Sequence, residues 1–224
     1  SENSITAYET DIRKFVTYLD IKELNISPVQ VQLKDLKNFL EWINEFGLNA
    51  RSQARIISGL KAFFKYLLLE DLIDSDPSGL LESPKLGRKL PEVLSIEEID
   101  QIIAEIDLSK PEGQRNKAII ETLYSCGLRV SELINLKISN LYFNDGFVRV
   151  VGKGDKERLV PIGGKAMKEI RLYFQDRNML PKIEKPAENI VFLNKWGRQM
   201  SRITVFAIIK SLVEKAQIKK NVSP

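Results

Sequence analysis

At 224 residues, with 43% hydrophobic and 29% charged residues, the chain has room for two modest domains and the composition of an ordinary soluble protein; it lacks an apolar run near the ~18 residues of a membrane span and opens on no signal-like segment. Its one cysteine, Cys126, excludes an internal disulfide framework and fits a reducing cytoplasm, while the absence of histidine excludes His-based catalysis, a His metal site and a Ser-His-Asp triad; with clustered cysteines missing too, zinc is not expected, and the expectation is of no metal and no cofactor. The net charge of +4 is uneven: residues 1–90 hold 12 Lys/Arg against 13 Asp/Glu and residues 91–224 hold 22 against 17, which places the basic excess, and any polyanion partner, in the second part.

Residues 4–20 put Ile5, Tyr8, Ile12, Phe15, Val16 and Leu19 on one face at helical spacing. Ser27-Pro28 announces a second helix whose buried stripe is Leu33, Leu36, Phe39, Leu40, Ile43 and Phe46, and Gly47 ends it. A third helix over 50–70 turns Ile56, Ile57, Leu60, Phe63, Phe64 and Leu67 inward. Its charges before Glu70 are Arg51, Arg55, Lys61 and Lys65, all positive. They read either as a solvated face or as a helix entering a DNA major groove, with the hydroxyls of Ser52 and Ser58 as further donors.

After Asp76-Pro77 the periodicity stops. The segment from Glu82 to Pro91 carries two prolines in addition to Lys85, Arg88 and Lys89, and reads as an extended basic linker, able to lie over a phosphate backbone or simply to join domains. The expected division is a helical domain over 1–82, a linker over 83–91 and a second domain over 92–224.

Ser95 with Glu98 forms a capping box ahead of Ile99, Ile102 and Ile103. A helix over 114–125 turns Ala118, Ile119, Thr122 and Leu123 inward and stops at Gly127, and a short one follows over 130–136. The period then changes to two: Leu141–Phe143, Phe147–Val151 and Glu157–Pro161 form a three-stranded antiparallel sheet, joined by Asn144-Asp145-Gly146 and by a turn around Lys153. Helical pattern returns at 165–177 and after Ser201, and the apolar run Ile190–Leu193 between them is a candidate extra strand.

The chemistry gathers between Cys126 and Gly163. Arg129 sits at a glycine-punctuated turn and Lys153 on a hairpin flanked by Gly152 and Gly154, so both are long cations presented by rigid backbone, as work on a phosphate requires. A guanidinium fork can hold two oxygens of a phosphodiester, and an ammonium can protonate a departing alkoxide. Gly152 and Gly154 let the hairpin approach DNA closely and leave Lys153 room to swing in. Glu132, one turn beyond Arg129, either orients it or serves as an N-terminal helix charge. Lys156 and Arg158 read as phosphate contacts or solvated charges, Arg202 as a further phosphate contact at the start of the last helix, and Cys126 as a small buried residue.

The text Gly127-Leu-Arg-Val-Ser-Glu-Leu133, followed by Val148-Arg-Val-Val-Gly-Lys-Gly-Asp-Lys-Glu-Arg-Leu-Val-Pro161, resembles the tyrosine recombinase (phage integrase) family, and its Xer-type members above all. Ala7-Tyr8 with Asp11, Ala54-Arg55 with Ser58–Lys61 and Phe64, and Ser83-Pro84-Lys85-Leu86 with Leu90-Pro91 carry the resemblance over nearly the whole chain. It implies a mainly α fold with a small antiparallel sheet: a helical, SAM-like core-binding domain and an α+β catalytic domain. The implied activity is cleavage and rejoining of double-stranded DNA through a 3′-phosphotyrosyl link, by a homo- or hetero-tetramer in the cytoplasm, without a membrane. Arg129 would be the first of two phosphate-binding arginines, Lys153 the acid for the 5′ oxygen and Glu132 a supporting carboxylate. Arg51, Ser52, Arg55, Lys61, Lys65, Lys85, Arg88, Lys89, Lys156, Arg158 and Arg202 would meet DNA.

In the family a His-x-x-Arg motif and the tyrosine nucleophile follow a Ser-Pro like Ser223-Pro224, which makes the chain read as a fragment that binds DNA weakly and does not cleave it. Tyr8, Tyr18, Tyr66, Tyr124, Tyr142 and Tyr173 lie in helical or strand patterns, and none has a nucleophile's context. Chromosome-dimer resolution is the reading the Xer-like layout favours. Integration of a phage or mobile element, a non-catalytic DNA-binding relative, and a helical interaction scaffold are the alternatives.

Overall fold

The computed structural model describes residues 2–87, 92–220 and 222. The chain divides into two compact units, Ser1–Lys89 and Leu90–Pro224. Arg88 and Lys89, both expected on the linker, lie outside the described residues.

The first unit is helical. α1 (Glu2–Ile21), α2 (Leu33–Glu45) and α3 (Ala50–Leu69) enclose a core in which Leu36, Phe39, Ile56, Ile57, Leu60 and Phe64 have no exposed surface. Burying each such side chain contributes about 1.5–3 kcal/mol. Phe15 meets Phe39 edge-on at 5.2 Å, and Tyr18 lies 5.3 Å from Trp42 and 5.5 Å from Phe39. Ser27-Pro28 opens a short 3-10 turn, Pro28–Gln30, and α2 starts later, where the Asp35 carboxylate accepts the Gln32 backbone N–H.

Two apolar stripes need correction. On α1, Phe15, Tyr18 and Leu19 are buried and Ile12 is half-buried, but Ile5, Tyr8 and Val16 are exposed. They line one wall of an open groove of about 1070 Å³ between α1 and α3, with Ala62, Phe63 and Tyr66 opposite. Helical spacing gives the width of an apolar face but not the extent to which a neighbour covers it. Phe46, expected in the α2 stripe, is 69% exposed. It falls just past the helix, where its ring packs against Trp42 at 4.9 Å instead of entering the core.

The second unit wraps helices around a small sheet. Ser95 caps α4 (Ile96–Ala104), its Oγ accepting the Glu98 N–H while Glu98 accepts the Ser95 N–H at 2.7 Å. α5 (Gly113–Cys126) packs against α7 (Gly164–Asn178), and α8 (Arg202–Lys215) meets α4 and α6 (Val130–Ile134). The strands β1 (Leu141–Tyr142), β2 (Phe147–Val151) and β3 (Glu157–Pro161) form an antiparallel sheet in sequence order, with Val150 opposite Arg158 and Val151 opposite Glu157. Val148 and Val150 turn inward on β2 while Arg149 is half-buried, the alternation its period of two predicts. At the far end of β3, the Gly163 N–H donates to Ser125 Oγ at 2.7 Å and ties the sheet to α5. Cys126 is buried, as expected, and burial pushes its thiol pKa up.

The run Ile190–Leu193 is buried but forms no strand. It makes single antiparallel bridges, Lys137 with Ile190 and Leu193 with Gln199. Its backbone groups are taken by other partners: the Val191 N–H by the Leu136 carbonyl, the Leu193 N–H by the Tyr173 hydroxyl, and the Ile190 carbonyl by the buried Arg177 guanidinium. Partners elsewhere in the fold that satisfy an apolar run in this way remove the need for a ladder.

Candidate active site on the second unit

α5 ends at Cys126 and the chain turns through Gly127, dropping Leu128 into the core before α6 begins. That anchor leaves Arg129 at the N-cap of α6 with an extended backbone (φ −69°, ψ 151°). An arginine side chain cannot accept the free N–H groups of a first turn, so the cap is one-sided. Glu132 Oε2 accepts the Arg129 backbone N–H at 2.8 Å, and Glu132 Oε1 accepts Arg129 Nη1 at 3.1 Å. Glu132 thus acts both as a helix-start carboxylate and as an orienting group for the arginine.

A third residue completes the cluster. Arg158 on β3 lays its guanidinium fork on the same carboxylate, Nη1 to Oε1 at 2.6 Å and Nη2 to Oε2 at 2.9 Å. The Glu132 side chain is 4% exposed, against 40% for Arg158 and 76% for Arg129. Hydrogen bonds from Arg158 first, then from the Arg129 backbone and side chain, outweigh the cost of burial and hold the Glu132 carboxyl down to about 2. The same contact raises the Arg158 pKa. The carboxylate is therefore charged at any physiological pH, and Arg129 keeps most of its donors toward solvent.

The hairpin that carries Lys153 is fastened to this cluster at its base. Gly152 N–H donates to the Lys156 carbonyl at 2.8 Å, and Lys153–Asp155 forms a tight 3-10 turn across the end. A Cβ on Gly152 would stand 3.6 Å from both Arg158 Nη1 and Glu132 Oε1, so the backbone immediately before Lys153 lies against the ion pair. Gly154 takes a left-handed conformation (φ 73°) that the turn requires of it. Beside the cluster, a pocket of about 340 Å³ is lined by Glu132, Asn140, Arg149, Gly152 and Asp155. Arg149, which the sequence reading passed over, donates to Asn140 Oδ1 at 2.9 and 3.2 Å. Its partner is a buried asparagine nine residues away, and no spacing rule marks it.

The remaining basic residues are scattered. Arg51 is exposed on the first turn of α3, Lys65 is exposed further along it, and Ser52 is half-buried with its N–H capped by Asn49 Oδ1 at 2.8 Å. Arg55 binds Asp11, a carboxylate with no exposed surface, and reaches the Ala7 carbonyl at 3.4 Å. Ser58 Oγ is spent on the Ala54 carbonyl, and the half-buried Lys61 donates to the Gly79 carbonyl at 3.4 Å. Lys85 and Lys156 are exposed, as is Arg202 just inside α8, whose first turn is capped by Ser201 Oγ. Among the described residues there is no acidic, Cys or His cluster that could hold a metal, and no helix long and apolar enough to cross a membrane.

Residues 92–224 match the phage integrase family, and residues 1–71 match the phage integrase N-terminal SAM-like domain. The chain is 36% identical to the tyrosine recombinase XerD of Listeria monocytogenes and 37% identical to that of Staphylococcus aureus, in each case over its whole length and 75% of the relative's. Among solved structures it resembles the XerH site-specific recombinase bound to palindromic difH substrate, with a TM-score of 0.78 at 21% identity over 97% of this chain and 64% of that one. A lambda integrase tetramer bound to a Holliday junction superposes with a TM-score of 0.73 at 17% identity, over all of this chain and 61% of that one. With helices around a three-stranded sheet, a family match over most of the second unit and XerD relatives aligned over the whole of this chain, the chain belongs to the phage integrase family, the tyrosine recombinases that carry out site-specific DNA recombination.

Proposed function

We propose that this chain binds duplex DNA and holds the scissile phosphate for an Xer-type recombination reaction, with Arg129 on the phosphate, Lys153 as the acid and Glu132 orienting Arg129. A tyrosine hydroxyl, giving up its proton to water, attacks phosphorus; the O–P bond of the phosphotyrosyl link forms as the bond to the 5′ oxygen breaks. As charge builds on the non-bridging oxygens, a guanidinium with free donors stabilises them, and the Lys153 ammonium supplies the proton the departing oxygen needs. The observation that carries this reading is the state of Arg129: tethered to a buried carboxylate by one side-chain bond, yet 76% exposed. Such a group is fixed in place and still open to a ligand.

The DNA surface is assigned to Arg51, Ser52, Lys65, Lys85, Lys156 and Arg202, with residues 1–82 gripping the duplex, 83–91 crossing it and 92–224 carrying the chemistry. Assembly is as a tetramer of recombinase subunits on DNA, in the cytoplasm. The 35–37% identity to XerD proteins favours chromosome partition at cell division over integration of a mobile element.

The test is covalent trapping on a nicked suicide duplex, using the full-length gene product. Arg129→Ala should lower the yield of phosphotyrosyl complex ~10²–10³-fold with duplex binding nearly intact. Lys153→Ala should be rescued by a 5′-bridging phosphorothioate, whose thiolate leaves without an acid. Undiminished trapping by Arg129→Ala would overturn the assignment.

A further inference from the structure

Arg158 was expected to contact DNA, but its guanidinium faces the protein. Both of its Nη groups are committed to Glu132, at 2.6 and 2.9 Å, in a parallel fork that spans 26 residues of sequence. We propose that Arg158 is a positioning residue for cleavage, which acts through Glu132 to keep Arg129 available to phosphate and to hold the lysine hairpin against the arginine turn.

Two features of the cluster carry this. The first is competition for the carboxylate. A carboxylate offers about four lone-pair directions. Arg158 occupies two, the Arg129 backbone N–H a third, and a single Arg129 Nη1 contact at 3.1 Å the last. With the fork absent, Arg129 could close its own fork on Glu132, and the donors meant for phosphate would be spent inside the protein. Arg158 also leaves the cluster of one carboxylate and two guanidiniums with an excess positive charge, which an arriving phosphodiester neutralises.

The second feature is mechanical. Arg158 stands opposite Val150 on the ladder of the hairpin itself, and its Nη1 lies 3.6 Å from where a Cβ on Gly152, directly before Lys153, would stand. Glu132 belongs to α6, whose N-cap is Arg129. The fork therefore joins the segment bearing the proposed acid to the segment bearing the proposed phosphate ligand, and among the described residues no other side-chain hydrogen bond or ion pair links α6 to the hairpin.

The inference rests on the assignment of Arg129 and Lys153 made above, and the experiment separates the two. In the full-length protein, Arg158→Gln, Arg158→Lys, Glu132→Gln and the double variant Glu132→Gln/Arg158→Gln are compared for single-turnover cleavage at saturating DNA, for duplex affinity against salt, and for thermal unfolding. Acting through Glu132, the Arg158→Gln change should lower the saturated cleavage rate about 10–100-fold, as losses of supporting contacts do. Affinity should move less than about 3-fold with an unchanged salt slope. Arg158→Lys keeps the charge without the fork and should recover little of the rate. The double variant should cleave no more slowly than Glu132→Gln alone, since one route cannot be cut twice.

A DNA-contact role predicts the opposite: weaker binding, a salt slope reduced by about 1, and normal cleavage once DNA saturates. That result, or additive losses in the double variant, would overturn the proposal and leave Arg129 untouched. Should Arg158→Gln unfold, carboxyl ¹³C titration of the folded Arg158→Lys protein decides: Glu132 should titrate above its wild-type value with the fork gone, and an unmoved titration refutes the dependence. Normal trapping by Arg129→Ala, by contrast, would remove the site and not merely its support.

Discussion

Asp11 and Glu132 are both carboxylates with almost no exposed surface, and each is met by arginine, yet the arginines finish in different states. In the first unit Asp11 faces Arg55 from α3, with Lys14 Nζ at 3.6 Å, and Arg55 is used up as a clasp between α1 and α3. Asp11 Oδ1 has no hydrogen-bond partner among the described residues, so the clasp is not even saturated. A Cβ on Gly59 would stand 3.4 Å from Asp11 Cβ, so α3 passes close beside the pair. In the second unit Glu132 is shared by two arginines, and the fork of one satisfies the carboxylate well enough to leave the other exposed. One carboxylate with one arginine makes structure. One carboxylate between two arginines makes structure and leaves one of the cations exposed.

This contrast can be broken at several points. The largest effect expected is on chemistry: Arg129→Met should slow cleavage by ~10²–10³-fold while lowering thermal stability by less than about 1 kcal/mol, because Glu132 retains the Arg158 fork. Denaturant melts alongside trapping assays would show it, and a large stability loss would mean that Arg129 is a clasp like Arg55.

Acid should expose the Glu132 cluster next. The carboxyl is held at about 2 in the folded chain against an ordinary 4.5, so its contribution is complete above pH 4.5 and is lost as pH falls toward 2. The shift corresponds to roughly 3 kcal/mol. The wild-type chain should therefore lose that much more stability than Glu132→Gln between pH 5 and pH 2, and parallel pH profiles would refute the low titration.

In the first unit, Arg55→Met leaves a buried carboxylate with only the more distant Lys14 and should destabilise by about 2–3 kcal/mol, less than a fully buried pair because Arg55 is half-exposed. If circular dichroism melts of Arg55→Met matched wild type while DNA affinity fell, Arg55 would be a DNA contact after all. The smallest effect belongs to Gly152→Ala. Its Cβ would make ordinary contacts at 3.4–3.6 Å with Lys156, Arg158 and Glu132, and its backbone is extended, so a cost under about 1 kcal/mol is expected. A larger cost would show the ion pair to be packed more tightly against the hairpin than these distances imply.

The sequence was legible where the signal is local. The Ser95 cap, the change of period at Leu141, the three strands and the turn at Lys153 follow from spacing, and the structure has them within a residue or two. Arg129 and Glu132 were readable as a pair because they are three residues apart at a helix start. Arg158 was not, because a residue on the polar rim of a strand looks alike whether it faces DNA or a carboxylate 26 residues away. Arg55 failed to show its role for the same reason, its partner lying 44 residues upstream on another helix.

Periodicity, caps and glycines are properties of neighbouring residues, so the chain alone determined its helices, its hairpin, its family resemblance and the cations proposed to carry the chemistry. The pairing of those cations was left to the tertiary structure. A long charged side chain reaches any partner the fold brings within a few ångströms, and only packing two distant segments together decides which guanidinium is absorbed by a buried carboxylate and which is left facing solvent.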